Sequence, residues 1–154
     1  METNIRFRCS KDQDDFSYEW VLKELNKDCD IEGICRIGFT DDGYEVFVVM
    51  DDDVLSDVPH FHYRKKAKGK PCEFHACIRY DKAEYYHHIG KENTLNNEQK
   101  ENLIIFLNSK PKNWKNKIAT NWELLLFIWN TQNDTKIDYN LSMPDYKKLE
   151  EVEK

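Results

Sequence analysis

The sequence predicts an α+β domain: an antiparallel meander of about five strands packed against two to three helices. Three observations predict it. Apolar alternations flank Asp41-Asp42-Gly43, a second pair of alternating runs flanks residues 67–71, and two capped stretches with helical spacing follow residue 95. At 154 residues the chain is long enough for one core without staples. Four Trp, eight Tyr and eight Phe supply much of the area that core buries.

Along the chain, Ile5-Arg6-Phe7 reads as a short strand. An acidic first turn at Asp12, Asp14 and Asp15 precedes Phe16, Trp20, Val21 and Leu25, which predicts an amphipathic helix over about 14–27. Residues 31–40 and 44–50 are two strands around the Asp-Gly turn. Cys35, Ile37 and Phe39 are expected on one face, and Tyr44, Val46, Val48 and Met50 on one face of the partner. Gly33 and Gly38 mark a bulge or a close approach. Asp51-Asp52-Asp53 lacks the spacing of a calcium loop and reads as solvated. Residues 60–66 and 72–80 form the second hairpin, and Tyr85-Tyr86-His87 is the candidate fifth strand. Asn96 with Gln99, and Thr120 with Glu123, are capping boxes. The second opens a helix with Trp122, Leu125, Leu126 and Trp129 on one stripe and Leu124, Phe127 and Ile128 beside it, so this helix is expected to be buried all round. Residues 1–140 are read as one globular domain, and 141–154 as a charged tail or short peripheral helix that docks Tyr146 and Leu149.

Function points to residues 57–88. All five histidines lie there, His60, His62, His75, His87 and His88, with Arg64, Lys65, Lys66, Lys68 and Lys70 packed into seven positions. Side chains alternate along a strand, so His60 and His62 share a face opposite Phe61 and Tyr63. On the next strand His75, Cys77 and Arg79 oppose the apolar Phe74, Ala76 and Ile78. A turn centred near Lys68 places His62 close to opposite His75. His60, His62 and His75 are then the candidate metal ligands, for zinc, completed by His87 or Asp57. The same three are the catalytic candidates of a metal-free acid–base phosphodiesterase, with an adjacent lysine on the phosphorane. A Cys77–His75 nucleophile pair is weaker, because residues two apart on a strand are spaced too widely for a dependable hydrogen bond.

Other chemistries lack their motifs: there is no GxGxxG, Walker loop, HExxH or GxSxG. The net charge of −6 argues against non-specific nucleic-acid binding. Basic loops at 64–70 and 110–117 keep a local nucleic-acid contact open. No signal peptide or membrane span is expected. Five cysteines without a CxxC read as reduced thiols of a cytoplasmic protein.

The run Asp57-Val58-Pro59-His60-Phe61-His62-Tyr63 resembles an uncharacterised family of small bacterial and phage proteins with a Pro-His-x-His strand. The likeness extends over residues 57–133, through Cys77–His88, Leu95–Leu107 and Thr120-Asn121-Trp122-Glu123. Here 56 residues precede the motif, whereas the family carries it near the N-terminus. The resemblance implies a small cytosolic accessory protein and assigns no activity. The favoured reading is therefore a non-enzymatic regulatory protein of mobile-element type that binds a protein partner without a cofactor. Tyr63, Arg64, Lys65, Lys66, Lys68, Lys70 and Arg79 are its candidate binding residues. The alternative is a hydrolase built on His60, His62 and His75.

Overall fold

The computed structural model describes residues 4–6, 15–17, 34–49, 58–66, 72–86, 92–111 and 118–149. Strand β1 (Asn4–Arg6) pairs antiparallel with β2 (Asp15–Ser17) as a separate two-stranded sheet. Residues 15–17 are thus strand, where a helix was expected to start; the rest of that helix lies outside the described residues, as does the aspartate run at 51–53.

The main sheet has four antiparallel strands in the order β3 (Ile34–Phe39), β4 (Glu45–Val49), β5 (His60–Lys66) and β6 (Cys72–Arg79). Gly43 makes the first turn possible by adopting φ +87°. Thr40 holds that turn together: its N–H donates to the Tyr44 carbonyl at 2.8 Å, and its hydroxyl donates to Asp42 Oδ1 at 2.5 Å.

The expected fifth strand does not form among the described residues, which include Tyr85 and Tyr86 but not His87. Tyr85 makes one isolated bridge to Ile78, and its hydroxyl accepts from the Leu95 N–H at 2.8 Å. That bond ties Tyr85 to the segment leading into the first long helix. The outer edge of β6 is covered instead by irregular backbone: the Tyr86 N–H donates to the Cys77 carbonyl at 2.9 Å and the Asn93 N–H to the His75 carbonyl at 2.7 Å. A sheet edge satisfied in this way offers no template for further pairing.

One face of the sheet carries Cys35, Val46, Val48, Phe61, Tyr63, Ala76 and Ile78, all buried in the core. Two helices and the C-terminal segment pack there. Helix α1 (Asn97–Leu107) has the predicted capping box at Asn96 and buries Gln99, Leu103 and Leu107. Helix α2 (Asn121–Gln132) is capped by Thr120 and is buried at every position from Asn121 to Asn130. Twelve residues are too few for an isolated helix in water, so α2 owes its stability to this burial, at roughly 1.5–3 kcal/mol per large apolar side chain. Its polar atoms are satisfied: Trp122 Nε1 donates to the Leu141 carbonyl at 3.1 Å, and Trp129 Nε1 to the Thr135 carbonyl at 2.7 Å.

Among the described residues after 141, Tyr146–Lys148 forms a 3-10 turn in the stretch read as a charged tail or short peripheral helix. It belongs to the core: Tyr146 and Leu149 are fully buried, and the Tyr146 hydroxyl donates to the Arg79 carbonyl at 2.6 Å. No helix among the described residues is long and apolar enough to cross a membrane.

Cys35 is disulfide-bonded, which corrects the reading of five reduced thiols. Pairing depends on Cα proximity in the fold, which sequence spacing does not reveal. The cysteine pattern therefore does not carry a cytoplasmic assignment.

Candidate metal centre

The histidines sit on the other face of the sheet. Strand β5 presents His60, His62 and Arg64 there, and β6 presents His75, Cys77 and Arg79. In the register His62 lies opposite Cys77, and Arg64 opposite His75. The expected pairing of His62 with His75 is thus offset by two residues. A register shift at Lys65/Lys66, beside the loop, defeats simple counting from the turn. An offset of two preserves the side-chain period, so every residue keeps its predicted face.

This register brings three potential ligands together. His62 Nδ1 lies 2.9 Å from His75 Nε2, Cys77 Sγ is 3.4 Å from His62 Nδ1, and Cys77 Sγ is 3.9 Å from His75 Nε2. The cross-strand pair supplies His62 and Cys77; His75, two residues before Cys77 on the same face, reaches in diagonally. Cys77 is fully buried, His62 is 5 % exposed and His75 is half-buried. Phe47 forms a wall, its ring stacked 4.8 Å from His62 and 6.2 Å from His75. The His75 backbone is clamped from outside, its N–H donating to Asn93 Oδ1 at 2.9 Å.

His60 occupies the same face but stands outside the converging set. Its Nδ1 lies 2.7 Å from the Val58 carbonyl, and its ring packs 5.3 Å from His62, 4.6 Å from Tyr86 and 5.4 Å from Trp129. Cys77 holds the third corner of the triangle. The signal for it was in the sequence: it follows His75 by two residues, which puts both on one face of β6. His87 and Asp57, named as residues to complete a site, lie outside the described residues, and so does His88.

The basic residues are placed differently from the expected binding surface. Tyr63 is fully buried, stacked on Tyr44 at 4.7 Å and 4°, and burial pushes its phenol far above the usual range. Its hydroxyl has no hydrogen-bond partner among the described residues. Arg64 is buried, donating through Nε to Glu45 Oε1 at 2.7 Å and lying 4.2 Å over the Phe47 ring. Glu45 also accepts from Arg36 Nε, so one carboxylate balances two guanidinium groups. Arg79 is held by Asp81 in a two-bond fork at 2.8 Å, and this fork keeps the Asp81 carboxyl below its ordinary value. Tyr63 and Arg64 are therefore structural and present no surface to a partner, because core packing and ion pairing engage them.

Lys65 is exposed, with Nζ 5.4 Å from the Tyr44 ring. It follows Tyr63 by two residues and shares the helix side of the sheet. Lys66 lies on β5 with its side chain undescribed; Lys68, Lys70 and residues 112–117 lie outside the described residues.

Compared with protein-family models, curated proteins and solved structures, the chain matches none.

Proposed function

We propose that this chain is a metal-binding protein in which His62, His75 and Cys77 hold one zinc ion. The triangle of ligand atoms carries the reading. Tetrahedral zinc bonded at about 2.0–2.1 Å to imidazole and about 2.3 Å to thiolate spaces such atoms roughly 3.3–3.6 Å apart. The spacings of 2.9, 3.4 and 3.9 Å straddle those values. Opening the imidazole pair and drawing in the sulfur, each by a few tenths of an ångström, completes the fit. Two imidazoles and a thiolate also select borderline to soft ions over magnesium or calcium.

The burial of Cys77 and His62 supports an ion that stabilises the fold and favours it over an open hydrolytic centre. His75, the half-buried member, is the side from which the ion and solvent approach. Metal binding ties β5 to β6 at a cross-strand pair and, through the Asn93 clamp, to the segment leading into α1. Without metal the same groups form a hydrogen-bonded cluster, since an imidazole pair at 2.9 Å shares a proton well.

The test is metal content of the tag-free protein by mass spectrometry, for wild type, Cys77→Ser and His62→Ala. Near-stoichiometric zinc in wild type is expected, falling at least tenfold in both variants. Cobalt reconstitution should give a thiolate-to-cobalt charge-transfer band that Cys77→Ser abolishes. Metal-free wild type that fails to take up zinc or cobalt while folded by circular dichroism would overturn the proposal.

A further inference from the structure

Phe47 and His60 share the sheet face of the ligand triangle without belonging to it, and both are buried, at 2 % and 0 % exposed. Both touch His62. The Phe47 ring lies nearly parallel to the His62 imidazole, at 4.8 Å between centroids and 16° between planes. The His60 ring meets the same imidazole edge-on, at 5.3 Å and 64°. The sequence sets up both contacts. Phe47 is the cross-strand partner of His62, and His60 precedes His62 by two residues on β5, so all three side chains fall on one face.

Each supporting ring is itself held. His60 Nδ1 lies 2.7 Å from the Val58 carbonyl; a carbonyl only accepts, so Nδ1 carries the proton and donates it. The ring then rests against Tyr86 at 4.6 Å and against Trp129 of α2 at 5.4 Å. On the other side the Arg64 guanidinium lies 4.2 Å over the Phe47 ring, and Glu45 fixes Arg64 through a 2.7 Å bond. The contacts form one row, Trp129–His60–His62–Phe47–Arg64, with a metal ligand in the middle. Such a row matters because the outer torsion of a histidine is broad and soft. Covalent structure leaves the direction of Nδ1 open, and packing closes it. A binding site works when its ligands are held to about 0.5 Å and 10–20° by neighbours whose own rotamers are locked.

We infer that Phe47 and His60 are the positioning residues of the zinc site: they hold the His62 imidazole in the plane that aims Nδ1 at Cys77 Sγ and His75 Nε2, and so set metal affinity and coordination geometry without touching the ion. The inference rests on the metal reading proposed above. It gives His60, expected from the sequence as a ligand, the task of supporting one. It also ties the site to the buried helix, because the residue behind His60 is Trp129.

The test uses the full chain with zinc and cobalt as probes. Phe47→Leu and His60→Leu remove a flat ring and keep apolar bulk, and His60→Phe keeps the ring. Zinc affinity, read by competition with a chromophoric chelator, should fall about 10–100-fold in both leucine variants, as it does when residues that orient metal ligands are lost. His60→Phe should recover most of the His60→Leu loss. At saturating cobalt, the ligand-field bands of both leucine variants should shift and weaken as the geometry leaves the tetrahedral. Phe61→Leu is the control, since Phe61 is fully buried on the opposite face of β5. It should lower stability in urea and leave the cobalt bands unchanged. Wild-type zinc affinity and cobalt bands in either leucine variant would refute the positioning inference and leave the metal reading standing. A folded wild type that takes up neither ion would refute both. Should a leucine variant not fold, Phe47→Met and His60→Met carry the same comparison.

Discussion

At the residue scale, the ion network around Glu45 decides more than the histidines do. Its carboxylate is 6 % exposed and balances Arg64, 9 % exposed, as well as Arg36 at the rim. A buried pair is weak evidence for net stability, because desolvation offsets much of the attraction. Removing one partner is another matter. Glu45→Ala leaves the Arg64 guanidinium buried without its carboxylate and is expected to destabilise by about 3–5 kcal/mol. Arg64→Met in the same background should recover most of that loss, since it removes the orphaned charge and keeps the stem that packs on Phe47. Urea unfolding of the two variants checks both; a Glu45→Ala cost below about 1 kcal/mol would show that water reaches Arg64.

At the scale of elements, the contact between β3 and α1 turns on one glycine. A Cβ built on Gly38 would lie 3.0 Å from Phe106 Cε1 and 3.1 Å from Cζ. The strand approaches the helix closely there because the bulge puts Gly38 opposite Val46, on the helix face. Gly38→Val should therefore cost about 1–3 kcal/mol by overpacking, and Phe106→Leu should relieve part of it. The double-mutant cycle is the measurement, and additive effects would show that the ring does not set the spacing. The bulge also explains a misread face. Strict alternation puts Cys35, Ile37 and Phe39 together, whereas the extra residue sends Phe39 to the opposite side.

At the scale of the whole molecule, two buried tyrosines stitch the core through hydroxyls that reach backbone carbonyls. Tyr80 donates to the Leu125 carbonyl at 2.9 Å and Tyr146 to the Arg79 carbonyl at 2.6 Å, so two phenols join sheet, α2 and C-terminal segment. Burial raises the phenol pKa of Tyr63, Tyr80 and Tyr146, with neighbouring groups adding to it. Below pH ~10 these phenols are neutral in folded and unfolded chains alike, and their contribution is fully present. Above it the unfolded chain releases the protons that the folded chain retains, so stability falls as pH rises towards the folded values. An alkaline titration should show phenolate absorbance from exposed tyrosines first. The remainder should appear only as near-ultraviolet circular dichroism is lost. Release of all phenolic protons with that dichroism intact would contradict this account.

The sequence by itself determined the α+β class, both hairpins of the main sheet, both helix caps and the face that His60, His62 and His75 occupy. Those properties follow from local periodicity and turn chemistry, which short stretches of chain encode. The tertiary structure decided the rest. It set the register that substituted Cys77 for His60 beside His62 and His75, because loop geometry and a bulge fix pairing to a residue that alternation leaves open by multiples of two. It also buried Tyr63 and Arg64, paired four strands in the main sheet among the described residues, and opened a cleft beside Phe39, since each of these depends on what packs against a strand rather than on the strand's own pattern.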